Sequence, residues 1–232
     1  MKQSLEMHKR LEVLRIRWKA KGYLPVHIRC GIHTASVYVG NIGGTSYSLA
    51  HPLTHPLTHT PTHSPTHSHT HSNTKGTRRM KYSVLGDGVA MSERCEDGNK
   101  KYGSRVMITE ATYRESKVAT SFLTRKLDWI EVKDFNGPCA IYQVFCERKE
   151  ATKEQIEMCA KHNRAMDMYR NREFEKAIEL FEEVLTYKVP KYVEEVYNGE
   201  DRAATLMIAR CKHLIKHPPP PGAWDIAKLG AI

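Results

Sequence analysis

The chain has 232 residues, 40% of them hydrophobic and 27% charged, with a formal net charge of +10, the balance of a soluble globular protein of one or two domains. Its basic residues are spread along helical stretches and form no dense cluster interleaved with aromatics, which argues against nucleic acid as a partner. The opening MKQSLEMHKR lacks the apolar core of a signal peptide, no window reaches membrane-span length, and none of the six cysteines forms a Cys-x-x-Cys pair; a soluble chain in a reducing, cytoplasmic setting is expected, even if a longer parent protein is membrane-anchored.

The first element is an amphipathic helix, because Met7, Leu11, Leu14 and Trp18 recur at three- and four-residue steps, with Lys19, Lys21 and Gly22 at its end. In VHIRCGIHTASVYVGNIG, Val26, Ile28 and Cys30 alternate with polar residues, and Val37 and Val39 alternate after a small-residue break. This predicts two strands joined by a turn near residues 33–36. From His51 the composition changes to HPLTHPLTHTPTHSPTHSHTHSNT, with histidine at 51, 55, 59, 63, 67 and 71. Four-residue spacing would stack these histidines on one helix face, but Pro52, Pro56, Pro61 and Pro65 forbid the helix. A disordered insert over about residues 45–76 is expected, in preference to a biological metal-binding tract.

Order resumes at TRRMKYSVLGDGV. YSVLG reads as a strand, Gly86 and Gly88 flank a turn, and a helix runs from 87 toward 101, closed by Tyr102-Gly103. Asp87 reads as its cap. RVMIT is a short strand, EATYRES a short helix, FLTRKLDWIEVKD strand-rich, Gly137-Pro138 a turn, and CAIYQVF a last alternating strand. From Glu150 the period becomes helical. One stripe holds Ile156, Cys159, His162 or Asn163, and Met166. A stronger one holds Phe174, Ala177, Ile178, Phe181, Val184 and Leu185, ended by Pro190. A third helix over 201–216 carries Leu206, Ile208 or Ala209, and Leu214, before a polyproline run from Pro218. The result is an α+β unit over 1–148, a helical unit over 149–217 and a Pro-rich tail over 218–232.

The motifs IRCGIHTASVYVGNIG, RMKYSVLGDGVAMSERCEDGNKKYGSRVMITEATY, LTRKLDWIEVKD and IYQVF resemble, in the same order, consecutive motifs of the class III adenylate and guanylate cyclases. The resemblance implies a partial ferredoxin-like nucleotide cyclase domain, its C-terminal half, followed by a small all-α hairpin region. AMDMYRNREFEKAIELFEEVL is similar to one tetratricopeptide-type hairpin, and ARCKHLIKHPPPPGAWD resembles the tail of bacterial-type and protist adenylate cyclases. Family chemistry is attack of the ribose 3′ hydroxyl on the α-phosphate of ATP or GTP, with loss of pyrophosphate. Two Mg2+ or Mn2+ ions assist, at a site shared with a second cyclase domain in a homo- or heterodimer.

Carried onto this chain, the resemblance makes Arg94 the arginine that meets transition-state charge on the α-phosphate. Ala90, one helical turn earlier, stands where the family has a ribose-orienting asparagine. Ser83 takes the purine-reading position, with the backbones of Val84 and Val89 flanking the base. Lys133 matches the first lysine of a phosphate-contacting VKGK motif, while Phe135 replaces the second. Ala35 stands where glycine usually follows His-Thr, which would load that turn, and His33 reads as a structural turn residue. The family's two metal-binding aspartates and an early purine-contacting lysine lie upstream of the helix that opens this chain. A cyclase family member inactive alone is therefore expected, adenylate more readily than guanylate. The alternative is a non-catalytic interaction or regulatory module built from a degenerate cyclase half and a helical tail, and either can be a piece of a longer protein.

Overall fold

The computed structural model describes residues 1–42, 81–131 and 137–220. The histidine-rich insert, Lys133, Phe135 and most of the Pro-rich tail lie outside the described residues. The elements in order are α1 (Lys2–Ala20), β1 (Cys30–Ile32), β2 (Tyr38–Ile42), β3 (Lys81–Leu85), α2 (Asp87–Tyr102), β4 (Val106–Thr109), α3 (Glu110–Tyr113), α4 (Val118–Ser121), β5 (Phe122–Ile130), β6 (Cys139–Glu147), α5 (Lys153–Arg170), α6 (Phe174–Leu185), α7 (Lys191–Tyr197) and α8 (Arg202–Lys216). The architecture is mixed α+β.

Four strands form one sheet in the order β1-β4-β6-β5, and β2 and β3 form a separate two-stranded ribbon. β1 runs parallel to β4, with Cys30 opposite Val106 and Ile32 opposite Ile108. The other pairings are antiparallel. The hairpin expected from residues 26 to 39 therefore does not form. β1 and β2 enter different sheets, and 23–29 is a loop without strand pairing. The misleading signal is the alternation before Cys30. The strand itself is CGI, buried at all three positions, as a parallel strand covered on both faces must be.

Side-chain alternation divides the core. Cys30, Ile32, Val106, Ile108, Ala140, Tyr142 and Val144 point to one face, into a core that also holds Met166 of α5, Phe181 of α6 and Met207 of α8. Met107, Leu127, Ile130 and Ile141 point to the other, against Met91, Cys95 and Tyr102 of α2. The helices after β6 thus share a core with the sheet. Gly31 sets how closely α2 can approach: a Cβ there would lie 2.0 Å from the Ser92 carbonyl oxygen and 2.3 Å from the Glu96 nitrogen. Only glycine permits that contact.

Two buried ion pairs tie the sheet to α8. Arg125 of β5 donates to both carboxylate oxygens of Asp201, at 2.6 and 3.0 Å, and its Nε donates to Gln143 Oε1 at 2.9 Å. Asp128 accepts from Arg210 at 2.7 Å and from the Tyr102 hydroxyl at 2.7 Å. Burial alone would raise the Asp201 pKa, but the Arg125 charge and hydrogen bonds bring it below the ordinary carboxylate value.

Several local expectations are corrected. α1 turns Ser4 and His8 inward while Leu14 is 39% exposed, because small Ser4 and the His8 ring fit beside β1, where His8 Nε2 lies 3.9 Å from the Cys30 sulfur. The inward face of α5 is Met158, Cys159, His162, Ala165, Met166 and Tyr169. Ile156 is partly exposed and Asn163 accepts from the Lys126 amide at 2.8 Å. In α8, Ala209 is exposed and Ile208 buried, beside Met207 and Cys211. Pro190, read as a stop, also caps the start of α7. α5 opens on a capping box between Thr152 and Gln155, and Asp201 caps α8 through the Ala204 amide.

Candidate functional site

The residues singled out in the sequence gather around the ribbon and the start of α2. β2 and β3 pair with Val39 opposite Val84 and Gly40 opposite Ser83, leaving both Ser83 and Val84 half-buried. β3 then turns at Gly86, whose φ of 139° is a conformation that favours glycine, and α2 begins at Asp87. Gly86 is the N-cap, and Asp87 occupies the first helical turn without a side-chain capping bond, so Asp87 is not the cap. The turn packs against residues 33–37. A Cβ on Gly88 would lie 2.8 Å from the Ala35 Cβ and 3.5 Å from the His33 ring. Ala35 takes up this small gap without strain: it is not among the residues with positive φ.

His33 is buried, and its Nδ1 lies 2.7 Å from the Thr109 hydroxyl. Burial pushes its pKa below the ordinary imidazole value, so it is neutral near pH 7. That fits a ring bracing β1 against β4.

On α2, Val89 is half-buried while Ala90 and Arg94 are exposed. Four residues apart, Ala90 and Arg94 share one helix face. Arg94 has no hydrogen-bond or ion-pair partner among the described residues. Its neighbours on the helix are committed elsewhere: Glu96 accepts from Arg29 at 3.0 Å and Asp97 pairs with Lys100 at 3.0 Å. Ser83, Val84, Val89, Ala90 and Arg94 thus lie along one continuous strand–turn–helix segment. Among the described residues, no group of three or more His, Cys, Asp or Glu side chains is placed to hold a metal ion. No described helix is long and apolar enough to cross a membrane.

A second cluster went unseen in the sequence. Arg15 of α1, Arg29 before β1 and Arg105 before β4 line one groove with His8, His27 and Tyr192 of α7. These groups come from four separate segments, and only their tertiary arrangement unites them.

No protein-family profile matches the chain. Over 142 residues, 60% of this chain, it is 29% identical to the terminal-differentiation-specific adenylate cyclase of Dictyostelium discoideum. The matched stretch is 6% of that protein's length. Among solved structures it is similar to the adenylyl cyclase CyaB from P. aeruginosa, at 26% identity and a TM-score of 0.41, over 64% of this chain and 58% of the other.

Proposed function

We propose that this chain is a class III nucleotide cyclase family member that contributes the arginine-bearing half of a cyclase site, with ATP as the preferred nucleotide. The observation that carries this reading is the 29% identity over 142 residues to a protein named as an adenylate cyclase. The ordered motifs support it, as does the Arg94 guanidinium, exposed on the same face of α2 as Ala90 and unpaired among the described residues.

In this reading Arg94 meets the negative charge that builds on the α-phosphate as the ribose hydroxyl attacks and pyrophosphate leaves. A fixed guanidinium there is worth about 10²–10³ in rate, by analogy with the loss of one oxyanion donor. The Ser83 hydroxyl offers one donor and one acceptor to the purine edge, and the backbones of Val84 and Val89 flank the ring. Ala90 presents a methyl group, so the ribose must be oriented by other groups. Lys133 is assigned to the phosphates. Mg2+ or Mn2+ would supply charge neutralisation and nucleophile activation in the family, but the described residues offer no ligand set for either. A second cyclase domain that carries metal-binding carboxylates would complete the site, and turnover is expected of that pair rather than of this chain alone.

The test is a cyclase assay of the purified chain with ATP or GTP and manganese, alone and mixed with a complete cyclase domain. The expected result is no cyclic nucleotide from the chain alone and Arg94-dependent product in the mixture. The second reading, a non-catalytic interaction module, is favoured by Ala90, which removes a family hydrogen bond. It gains support if the mixture forms a complex whose activity is indifferent to Arg94→Ala.

A further inference from the structure

The second cluster lies at the opposite end of the parallel strands from the ribbon and the start of α2. Arg29 directly precedes β1 and Arg105 directly precedes β4, so the groove opens at the N-terminal ends of both strands. His33 and the ribbon follow their C-terminal side. The groove is open to solvent along its length.

Its lining is basic and partly apolar. Three arginines and two histidines contribute to it beside Leu11, Ile28 and Val196, with no carboxylate in the lining. The balancing carboxylates stand outside the lining. Arg105 donates to Glu12 at 2.7 Å, Arg29 to Glu96 at 3.0 Å, and Arg15 to Glu195. Each ion pair occupies only part of a guanidinium that carries five N–H donors. The Arg105 guanidinium carbon also lies over the Tyr192 ring, 3.9 Å from its centroid. Arg15 is only 13% exposed, and its Nε is buried without a hydrogen-bond partner among the described residues.

The imidazoles report the same local field. Burial is the main cause of a His8 pKa lowered to about 4, and the Arg105 charge adds to it. Burial likewise leads for His27, followed by Arg15, with Glu195 opposing and Arg105 reinforcing. Positive charge outweighs negative at both rings.

We propose that this groove is a binding site for a phosphate-bearing anion. Arg29 and Arg105 are placed to hold its oxygens, with the Arg15 guanidinium adding positive charge beside them. Guanidinium groups favour phosphate over spherical anions, since they donate paired hydrogen bonds. The phosphate can be free or carried on a lipid headgroup, and the groove recognises the group common to both. The site is independent of the Arg94 reading and stands or falls apart from it.

The experiment is a titration of the isotope-labelled full chain with inorganic phosphate at constant ionic strength, followed by amide shifts in NMR spectra. Saturable shifts confined to residues near 8–15, 27–29, 104–105 and 192–197 are expected. Binding should weaken at least tenfold in Arg29→Gln and in Arg105→Gln, and be unchanged in Arg94→Ala. Co-sedimentation with vesicles containing phosphatidic acid, competed by inorganic phosphate, would assign the source as a lipid; phosphate binding without co-sedimentation would assign it as a free anion. Equal shifts with chloride, or no saturable phosphate response at the groove residues, would overturn the proposal. The wild-type footprint decides the matter even if a variant fails to fold.

Discussion

Replacing Asp201 by alanine tests whether the helices after β6 and the sheet form one cooperative unit. The Arg125 side chain is 4% exposed and that of Asp201 10%, so the variant strands a guanidinium in the core with no carboxylate beside it, leaving Gln143, the Met158 sulfur and the Phe145 ring as its contacts. Removing one member of a buried pair costs about 3–5 kcal/mol. Asp201 also caps α8, and an N-cap lost to alanine costs about 1 kcal/mol. Asp201→Asn keeps a good capping side chain and loses the charge, so it should fall about 1 kcal/mol short of the alanine variant. Arg125→Met combined with Asp201→Ala should be less destabilised than the sum of the two single variants, since no charge is then left unpaired. Urea unfolding would be followed by helical circular dichroism and by Trp129 fluorescence in a background where Trp18 and Trp224 are replaced by phenylalanine. The two signals should move together to lower urea in every variant. A loss under about 1 kcal/mol for Asp201→Ala, or a helical transition separate from that of Trp129, would refute the reasoning.

Gly31→Ala should cost more than the about 1–3 kcal/mol typical of an overpacked core, because its methyl group meets the backbone of α2 rather than a side chain that can swing away; a melting temperature within a degree or two of wild type would contradict that contact. His162 is fully buried, edge-on to Phe181, and burial followed by the Arg125 charge lowers its pKa to about 3 from an ordinary 6.5. The unfolded chain therefore binds a proton that the folded chain refuses, so stability is complete above pH 6.5 and declines as pH falls from there toward 3. His162→Leu should flatten the stability profile between pH 6 and 4.5 by up to about 1.4 kcal/mol per pH unit, with His8 retaining its own share. Parallel profiles for variant and wild type would count against it.

Much of the fold was legible where signals are local. The α2 helix could be bounded from GDG and Tyr102-Gly103, and Gly103 does close it with a φ of 66°. β4, β5, β6, α5 and α6 follow from alternation, helical period and the break near Arg172. What escaped depends on partners distant in sequence. β1 finds its neighbour in β4, across the ribbon and α2, so alternation at 26–30 misassigned it to a hairpin. The inward face of α1 is set by Cys30 and Arg105, which is why a serine and a histidine, not Leu14, turn inward. Arg125 and Asp201 carry no periodic signal, and their pairing exists only once α8 lies on β5. The arginine groove escaped for the same reason. At the candidate site, the spacing of Ala90 and Arg94 was readable because one helical turn is a local rule, whereas the roles assigned there come from the family resemblance.

The most direct test of the central claim is complementation. This chain would be mixed with a cyclase domain that retains its metal-binding aspartates but lacks its own transition-state arginine, and cyclic AMP formed from ATP and manganese would be measured. Product is expected only in the mixture, falling about 10²–10³-fold with Arg94→Ala while complex formation is unchanged. Complex formation without product, or product indifferent to Arg94, would contradict the assignment of this chain as the arginine-bearing half of a cyclase site.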